Sequence, residues 1–141
     1  MTTCIFCQIV KGEAPSSVVY EDNLCLAFMD IQPVNPGHVL VVPKTHSRDL
    51  SDLPPETGAH LFQIAQRVAL SLPDTRIKNE GIDLFLAHGE AAGQDVFHVH
   101  LHVIPRYKGD GFGFSFGPDY ENLPPRAELD EAAHQIRQQL K

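Results

Sequence analysis

Three histidines alternate with apolar residues in the segment His98-Val99-His100-Leu101-His102-Val103-Ile104-Pro105. A strict period of two predicts a β-strand, which places the three imidazoles on one face of a sheet. The apolar residues on the other face are then expected to meet a core: Phe97, Val99, Leu101 and Val103. Each imidazole needs partners for two nitrogens, so three in alternation are costly as core residues. The pattern therefore indicates a functional site, where the imidazoles could line a pocket for a ligand with several acceptor oxygens.

Composition limits the classes of protein that fit this chain. Its 141 residues suit one compact domain, and no repeat or composition shift suggests a second. The net charge of −7 argues against binding to nucleic-acid polymers, although a local site can still hold a nucleotide. The longest apolar runs, such as Val39–Val42, are too short to span a bilayer, and no secretory signal is visible. An odd number of cysteines disfavours a disulfide framework, so we expect a cytoplasmic protein.

Periodicity and turn residues predict the elements that position the histidines. Four strands are expected before the histidine strand, at residues 18–21, 24–29, 38–42 and 82–87. Pro54 and Pro55 suit the first turn of a long helix with apolar residues at helical spacing: Leu61, Ile64, Ala65, Val68 and Leu72. A C-terminal amphipathic helix is marked by Leu129, Ala133, Ile136 and Leu140. The lack of regular βαβ alternation favours an α+β fold, with a five-stranded, mostly antiparallel sheet, one long central helix and a C-terminal helix.

The segment Gly93–Arg106 closely resembles the signature of the histidine-triad (HIT) superfamily. The likeness extends to Leu26–Ile31 and Pro36–Lys44, which look like the nucleotide-pocket hairpin and the following strand of that family. It covers the chain from about Cys4 to Arg106. The resemblance implies a single HIT domain over residues 1–141, with residues 107–141 as a C-terminal extension. Members of the superfamily are nucleotidyl hydrolases and transferases that act on the α-phosphate of a nucleotide.

The resemblance also implies roles for individual residues. His100 matches the nucleophile that forms a transient nucleotidyl-histidine, a role that suits neutral imidazole near pH 7. The other ring nitrogen of His100 is then expected to donate to a backbone carbonyl near His98. His102 and His38 match histidines beside the phosphate, which stabilise its charge or assist the leaving group. Gln94 matches a residue that contacts the phosphate.

A nucleoside pocket follows from the same resemblance. Asp30 falls at the carboxylate that binds the ribose hydroxyls, and it stands between an apolar strand and a loop, where it need not be buried unpaired. Five apolar residues fall at positions that enclose the base: Ile5, Phe6, Ile9, Phe28 and Ile31. Ordinary core packing is the alternative for these five residues.

The chain departs from the family pattern before its glycine loop. Ala87 stands where many members have Asn or Gln, and His88 stands where many have a second Asn. Alanine cannot donate a hydrogen bond to phosphate. Either another group compensates, with His88 the nearest in sequence, or catalysis is slower than in typical members. A solvated loop position is the other interpretation of His88.

Cys4 and Cys7 have the C-x₂-C spacing that lets two thiolates share a tetrahedral metal ion. In zinc-bearing relatives, the positions of His46 and His98 complete a Cys₂His₂ site. The resemblance therefore implies a structural zinc ion and no metal in the chemical step. Two free buried thiols are the alternative. Cys25 lies within a predicted strand and is expected to be a core residue.

The leading interpretation is a nucleotidyl hydrolase for nucleoside phosphoramidates or dinucleoside polyphosphates. Pro105–Asp110 resembles the branch that handles dinucleoside polyphosphates, and Arg106 or Lys108 could either meet a second phosphate or be solvated. A metallohydrolase is an alternative, but no motif such as H-E-x-x-H supports it. A nucleotide-binding or adaptor protein with little catalysis is another. Family members commonly pair, so we expect a homodimer, for which Leu61–Leu72 could supply the surface.

Overall fold

The computed structural model describes residues 3–141. The chain forms two compact units, one that ends at Gly111 and one that covers Phe112–Lys141. The first unit contains α1 (Ile5–Val10), β1 (Val18–Glu21), β2 (Cys25–Met29), β3 (Val39–Pro43), α2 (Pro55–Ser71), β4 (Gly81–Phe85) and β5 (Leu101–Arg106). Short 3₁₀ helices lie at Leu50–Asp52, Leu72–Asp74 and Glu90–Ala92. The second unit contains α3 (Arg126–Gln139).

The five strands form one sheet in the order β1-β2-β3-β5-β4, and every neighbouring pair is antiparallel. The predicted α+β architecture is therefore confirmed. The pairing of β3 with β5 joins segments that are far apart in sequence and sets Leu40 opposite His102. His102, from the segment with three alternating histidines, therefore lies next to the central strand of the sheet.

The two faces of the sheet carry separate apolar clusters. The first cluster packs against α2 and includes the residues predicted from helical spacing: Leu61, Ile64, Ala65, Val68 and Leu72. The second contains Phe6 of α1 with residues of β2 and β3. Leu101 and Val103 belong to the α2 cluster, so alternation along β5 places His102 on the opposite face, where α1 packs.

The packing of α2 limits which of its residues could contact a second chain. The apolar stripe of α2 lies in the core of its own chain, because the sheet needs cover on that face. Phe62 and Leu70 of the same helix are exposed. Any contact that α2 makes with a second chain would therefore use this outer side.

The prediction of one strand through all three histidines was wrong at its beginning. β5 starts at Leu101, so His98 and His100 precede it. The sheet ladder stops because the backbone N–H of Val99 donates to the carbonyl of Ser47 at 2.8 Å. Pro43, at the end of β3, has no N–H to offer, and the ring of His98 lies 2.8 Å from its carbonyl oxygen.

The expected core position of Phe97 was also wrong. Its side chain is 41% exposed, and the guanidinium of Arg48 lies 5.1 Å from the ring centroid. Strand period does not apply to Phe97, because this residue lies in the irregular segment before β5. Val99, Leu101 and Val103 do face the core as predicted.

Other boundaries differ from the predictions by one or two residues. β2, β3 and β4 were expected at 24–29, 38–42 and 82–87 and lie at Cys25–Met29, Val39–Pro43 and Gly81–Phe85. The helix α1 was not predicted. Within residues 3–141, no helix is long and apolar enough to cross a membrane.

Candidate functional site

A cavity of about 420 Å³ opens on the α1 face of the sheet. It is lined by most of the residues predicted to bind or act on a nucleotide: Ile5, Phe6, Ile9, Phe28, Asp30, Ile31, His100 and His102. Phe6 and Phe28 are buried, so core packing also accounts for them. Ile5 and Ile31 are exposed, and burial in the core cannot explain their place in the lining. The size is that of a small-molecule site.

His100 lies at the wall of this cavity, almost fully buried. Its Nδ1 is 2.7 Å from the backbone carbonyl oxygen of His98. Because a carbonyl can only accept, Nδ1 carries the proton and donates, and Nε2 of the neutral ring keeps its lone pair. The carboxylate Oδ1 of Asp95 is 3.4 Å from that Nε2. The backbone near His98 thus holds His100 in the tautomer that a nucleophile requires.

His38 and His102 share a hydrogen bond, and His102 lines the same cavity. The backbone N–H of Val34 donates to Nδ1 of His38 at 3.0 Å, so the proton of neutral His38 sits on Nε2. That atom lies 2.8 Å from Nδ1 of His102 and donates to it. The proton of His102 is therefore on its own Nε2. The hydrogen bonds from Val34 to His38 and from His38 to His102 thus leave Nε2–H of His102 as a donor at the cavity.

Burial favours the neutral forms of His38 and His102. Burial, together with the nearby His100 and His38, lowers the pKa of His102 to about 4. Burial also lowers the pKa of His38, against the opposing effect of the Asp30 carboxylate. Neutral rings suit the tautomers assigned above, because a doubly protonated ring could not accept from Val34.

Asp30 directly follows β2 at the edge of the cavity. Its Oδ1 accepts from the backbone N–H of Gln32 at 2.9 Å, and its Oδ2 is 3.5 Å from Nε2 of His38. The side chain is partly exposed. These contacts leave carboxylate lone pairs available to a ligand, since a carboxylate offers about four acceptor positions.

A buried network positions the loop that carries His38. The backbone N–H of His38 donates to the carbonyl of Asn35, and the Asn35 amide donates to Pro105 O and Asp110 Oδ2, each at 2.9 Å. Arg106 also binds Asp110 through its guanidinium. The loop is therefore tied to the far end of β5, the strand of His102.

Gly37 allows the chain to enter β3 beside this network. Its φ is +97°, a conformation that favours glycine, and a Cβ there would lie 2.8 Å from a methyl carbon of Ile77. Any larger residue would push the loop away from Ile77 and displace the adjacent His38.

Gln94 has backbone partners inside the chain. Its Oε1 accepts from Gly89 N–H at 2.8 Å, and its Nε2 donates to Arg48 O at 2.7 Å and to Val96 O at 3.2 Å. The side chain is buried and is absent from the lining of the cavity. In this arrangement Gln94 holds the loop before His98, and its predicted phosphate contact stays a prediction.

The two positions that depart from the family pattern lie away from the cavity lining. Ala87 is buried, and His88 is exposed. Nδ1 of His88 accepts from the backbone N–H of Leu50 at 3.1 Å. His88 thus accepts from the first residue of the 3₁₀ helix Leu50–Asp52, and its exposure matches the solvated-loop interpretation.

Cys4, Cys7, His46 and His98 converge as a cluster of four metal-ligating side chains. Nδ1 of His98 lies 3.4 Å from Cys4 Sγ, 3.5 Å from Cys7 Sγ and 3.2 Å from His46 Nδ1. Cys7 Sγ and His46 Nδ1 are 3.3 Å apart. A tetrahedral zinc ion separates its ligand atoms by about 3.3 to about 3.8 Å. The donor set and its spacing therefore fit zinc.

The second nitrogen of His98 supports the same fit. Nε2 donates to Pro43 O, which leaves the Nδ1 lone pair directed at the cluster, and metal-bound histidines commonly use their other N–H in this way. Burial lowers the pKa of His98, so the ring is the neutral form that binds metal. The backbone N–H of Cys7 donates to Cys4 Sγ at the start of α1.

Three elements of the site were missed from the sequence. Asp95 was not assigned a role, although it precedes the histidine segment by three residues. Asn35 was treated as a loop residue, and its buried amide network could not be inferred because its partners Pro105 and Asp110 are distant in sequence. The helix α1 holds Cys7 and the apolar wall of the cavity; it has six residues, too few for a helical period to show.

Comparison with known proteins agrees with the architecture and the histidine segment. A crystal structure of a HIT family protein from Bacillus anthracis superposes with a TM-score of 0.89 at 40% identity, over 99% of this chain and 98% of that one. A crystal structure described as a Zn-bound histidine triad family protein from Mycobacterium smegmatis gives a TM-score of 0.76 at 43% identity, over 92% and 97%.

A curated relative carries the name of an enzyme. Adenylylsulfatase HINT3 of Arabidopsis thaliana is 39% identical over 110 residues, which are 76% of this chain and 54% of the relative. The family model described as HIT domain matches residues 11–109. That match includes the triad His98, His100 and His102, together with His38 and Asp30. The chain therefore belongs to the HIT domain family.

Proposed function

We propose that the protein is a nucleotidyl hydrolase that acts on the α-phosphate of a nucleotide substrate through a nucleotidyl-histidine intermediate on His100. One observation carries the proposal. His100 Nδ1 donates to His98 O at 2.7 Å, so its Nε2 has a free lone pair at the wall of a nucleotide-sized cavity. A fixed neutral imidazole of this kind is a competent nucleophile at neutral pH.

The first step is an in-line displacement at phosphorus. The Nε2 lone pair of His100 forms an N–P bond, the bond to the leaving group breaks, and the leaving group departs with that electron pair and takes a proton from solvent. His102 donates its Nε2–H to a non-bridging oxygen, because His38 holds its other nitrogen as an acceptor. His38 acts through His102 and fixes its tautomer.

The second step is hydrolysis of the intermediate. Water attacks the same phosphorus from the side that the leaving group vacated, the N–P bond breaks, and its electron pair returns to Nε2 of His100. The water proton goes to solvent. Both steps need the same donor at the phosphate oxygens, so a single arrangement of His100 and His102 serves each of them.

The remainder of the cavity provides the nucleoside site. The carboxylate of Asp30 accepts hydrogen bonds from the ribose hydroxyls, and the base lies against the apolar residues Ile5, Phe6, Ile9, Phe28 and Ile31. Exposure of Ile5 and Ile31 beside the cavity supports this assignment, because exposed apolar side chains in a concave site favour ligand contact over core packing. Gln94 supports the phosphate site by holding the preceding loop.

Zinc is the proposed structural metal, held by Cys4, Cys7, His46 and His98. The cluster geometry and the Zn-bound relative from Mycobacterium smegmatis support it. Zinc would join the N-terminal segment to the sheet and hold His98 in place, and the chemical step uses no metal. We also propose a cytoplasmic homodimer, from the family resemblance and the reduced cysteines that zinc requires.

The test compares His100→Ala with a matched control, His134→Ala, whose exposed residue lies in α3. Each variant is assayed with an adenosine 5′-phosphoramidate and with a diadenosine polyphosphate. His100→Ala should lose at least about 10³-fold in kcat while it still binds nucleotide, and His134→Ala should equal the wild type. If His100→Ala keeps more than about a tenth of kcat, a loss below about 1.4 kcal/mol, the nucleophile assignment is wrong.

The same experiment decides between this proposal and the two alternatives. Asp30, His38 and His102 also form a potential metal-binding group, although the 2.8 Å contact between the two rings is that of a hydrogen bond. Catalysis by a metal there would survive His100→Ala and fail in His102→Ala. A binding or adaptor protein would bind nucleotide tightly and turn over neither substrate.

A further inference from the structure

Asp95 places a carboxylate beside the atom proposed to attack phosphorus. Its Oδ1 lies 3.4 Å from Nε2 of His100, in the loop that leads from the 3₁₀ helix Glu90–Ala92 toward β5. The Asp95 side chain is 81% exposed, whereas that of His100 is 4% exposed. Asp95 is therefore a solvent-exposed charge in the lining of the cavity, directly beside His100.

The formally charged side chains that the structure describes in the cavity lining are all acidic. Among the cavity-lining residues in the described part of the chain, the acidic ones are Asp30 and Asp95, and none is lysine or arginine. Arg106 and Lys108, the basic residues that could meet a second phosphate, are not among the lining residues. Arg106 forms ion pairs with Asp83 and Asp110, each with an N–O distance of 2.6 Å. A chain of several phosphates would thus meet carboxylates without a nearby cationic partner in the lining.

This charge acts differently on the two parts of a substrate. The nucleotidyl part is common to all candidates, so its repulsion by Asp95 cancels when substrates are compared. The leaving group varies, and in an in-line displacement it departs across the phosphorus from His100, so its charge lies farther from Asp95 than His100 does. Its charge therefore decides how Asp95 changes the relative rates.

We propose that Asp95 is a specificity-determining residue that favours phosphoramidate substrates whose leaving amine carries a positive charge and disfavours leaving groups that carry a negative charge. This inference rests on the proposed function. In the reaction, the P–N bond breaks, the amine nitrogen keeps the electron pair and takes a proton from solvent, and His100 forms the new N–P bond. Asp95 exchanges no proton and forms no bond in this step.

The experiment uses three adenosine 5′-phosphoramidates whose leaving amines have equal length. Their far ends are an ammonium, a methyl group and a carboxylate. In the full-length wild type, kcat/KM should fall about twofold from the ammonium to the methyl substrate and about twofold again to the carboxylate substrate, as expected for a solvent-exposed charge about 8 Å away. Raising the salt concentration should compress this order.

Asp95→Asn keeps the shape of the side chain and removes its charge, so the three kcat/KM values should come within about 1.3-fold of each other. Asp95→Ser provides a second, smaller replacement with the same expected result. Glu90→Gln is the matched control, because it removes an equal charge from the 3₁₀ helix just before this loop, at an exposed residue outside the cavity lining. The Glu90 variant should retain the full wild-type order.

Two results would overturn the inference: a wild type that shows no order among the three substrates, or an order that persists in both Asp95 variants. His100→Ala is run in parallel with the same three compounds. If it turns them over, the proposed function fails, whatever the order. If it is inactive and the order is insensitive to Asp95, only the specificity role fails.

Discussion

Nδ1 of His100 lies 2.7 Å from the backbone carbonyl oxygen of His98, and the side chain of His98 belongs to the Cys/His cluster. His98 thus contributes its ring to the potential metal-binding cluster, and its backbone carbonyl accepts the hydrogen bond from the candidate nucleophile. A change in the cluster that moves His98 would also change the tautomer or orientation of His100. The metal site and the chemical site are therefore expected to respond together.

Zinc content is the first prediction. The purified wild type should contain one zinc ion per chain, and Cys7→Ser should lose it together with several degrees of Tm, because the metal binds the folded state. Cys25→Ala is the control, since Cys25 lies in the core outside the cluster. It should keep its zinc whatever its Tm. A metal-free wild type whose Tm does not change on adding zinc would exclude a structural ion.

Sugar discrimination is the second prediction. Asp30→Asn should weaken the binding of ribonucleotides by about tenfold and that of 2′-deoxyribonucleotides by less than about threefold, because a carboxylate makes the stronger, charge-assisted bonds to ribose hydroxyls. Titration of both nucleotides against the catalytically inactive His100→Ala background measures this. Glu56→Gln, an exposed carboxylate of α2, controls for net charge. Equal losses for the two sugars would remove Asp30 from the ribose site.

The third prediction concerns Ala87 and His88. His88→Ala should change kcat by less than about twofold, because Nδ1 of His88 accepts a hydrogen bond from the backbone N–H of Leu50. Ala87→Asn should likewise leave kcat within about twofold, because Ala87 is buried outside the cavity lining, where an added donor would not meet the phosphate. Steady-state kinetics of both variants on one substrate decides. A large fall in kcat for His88→Ala would instead make His88 the compensating donor.

Acid sensitivity is the fourth prediction, and it depends on Asp22 in the β1–β2 turn. Burial raises the pKa of Asp22, but hydrogen bonds from Cys25 N–H, His60, Leu24 N–H and Tyr20 outweigh it and hold the pKa well below its usual value. A depressed folded-state pKa stabilises the protein above the unfolded pKa of about 4, and this stability is lost as the pH falls below it.

Asp22→Asn should therefore lower the free energy of unfolding by about 1–3 kcal/mol at pH 7. The difference from wild type should shrink as the pH falls from about 4 to about 2, because there the carboxyl binds a proton in the unfolded chain while it stays ionised in the folded protein. Denaturant titrations at several pH values measure both effects, with Glu121→Gln as an exposed control. A difference that does not depend on pH would assign the loss to packing.

Much of the fold could be predicted, because long regular elements carry their period in the sequence. The apolar spacing from Leu61 to Leu72 gave α2, and the β-branched run at Val39–Val42 gave a central strand. The short helix α1 and the early end of the β5 ladder could not be predicted in this way. They depend on single contacts, such as Val99 N–H to Ser47 O, that join distant parts of the chain.

In the candidate site, too, some residues could be predicted from the sequence and others could not. The histidines and Asp30 were identified because a linear pattern contains them. The partners that set their chemistry were not identified: Val34 behind His38, Asp95 beside His100 and the ion pairs of Arg106. Each depends on how a loop closes in three dimensions, and loop closure leaves no period in the sequence.

The stereochemical course at phosphorus tests the central claim most directly, and it does not require the intermediate to accumulate. One diastereomer of an adenosine 5′-phosphoramidothioate is hydrolysed by the wild type in ¹⁸O-labelled water, and the configuration of the phosphorothioate product is determined. Two successive in-line displacements, first by His100 and then by water, predict retention of configuration. Inversion would mean a single direct attack by water and would contradict a nucleotidyl-histidine on His100.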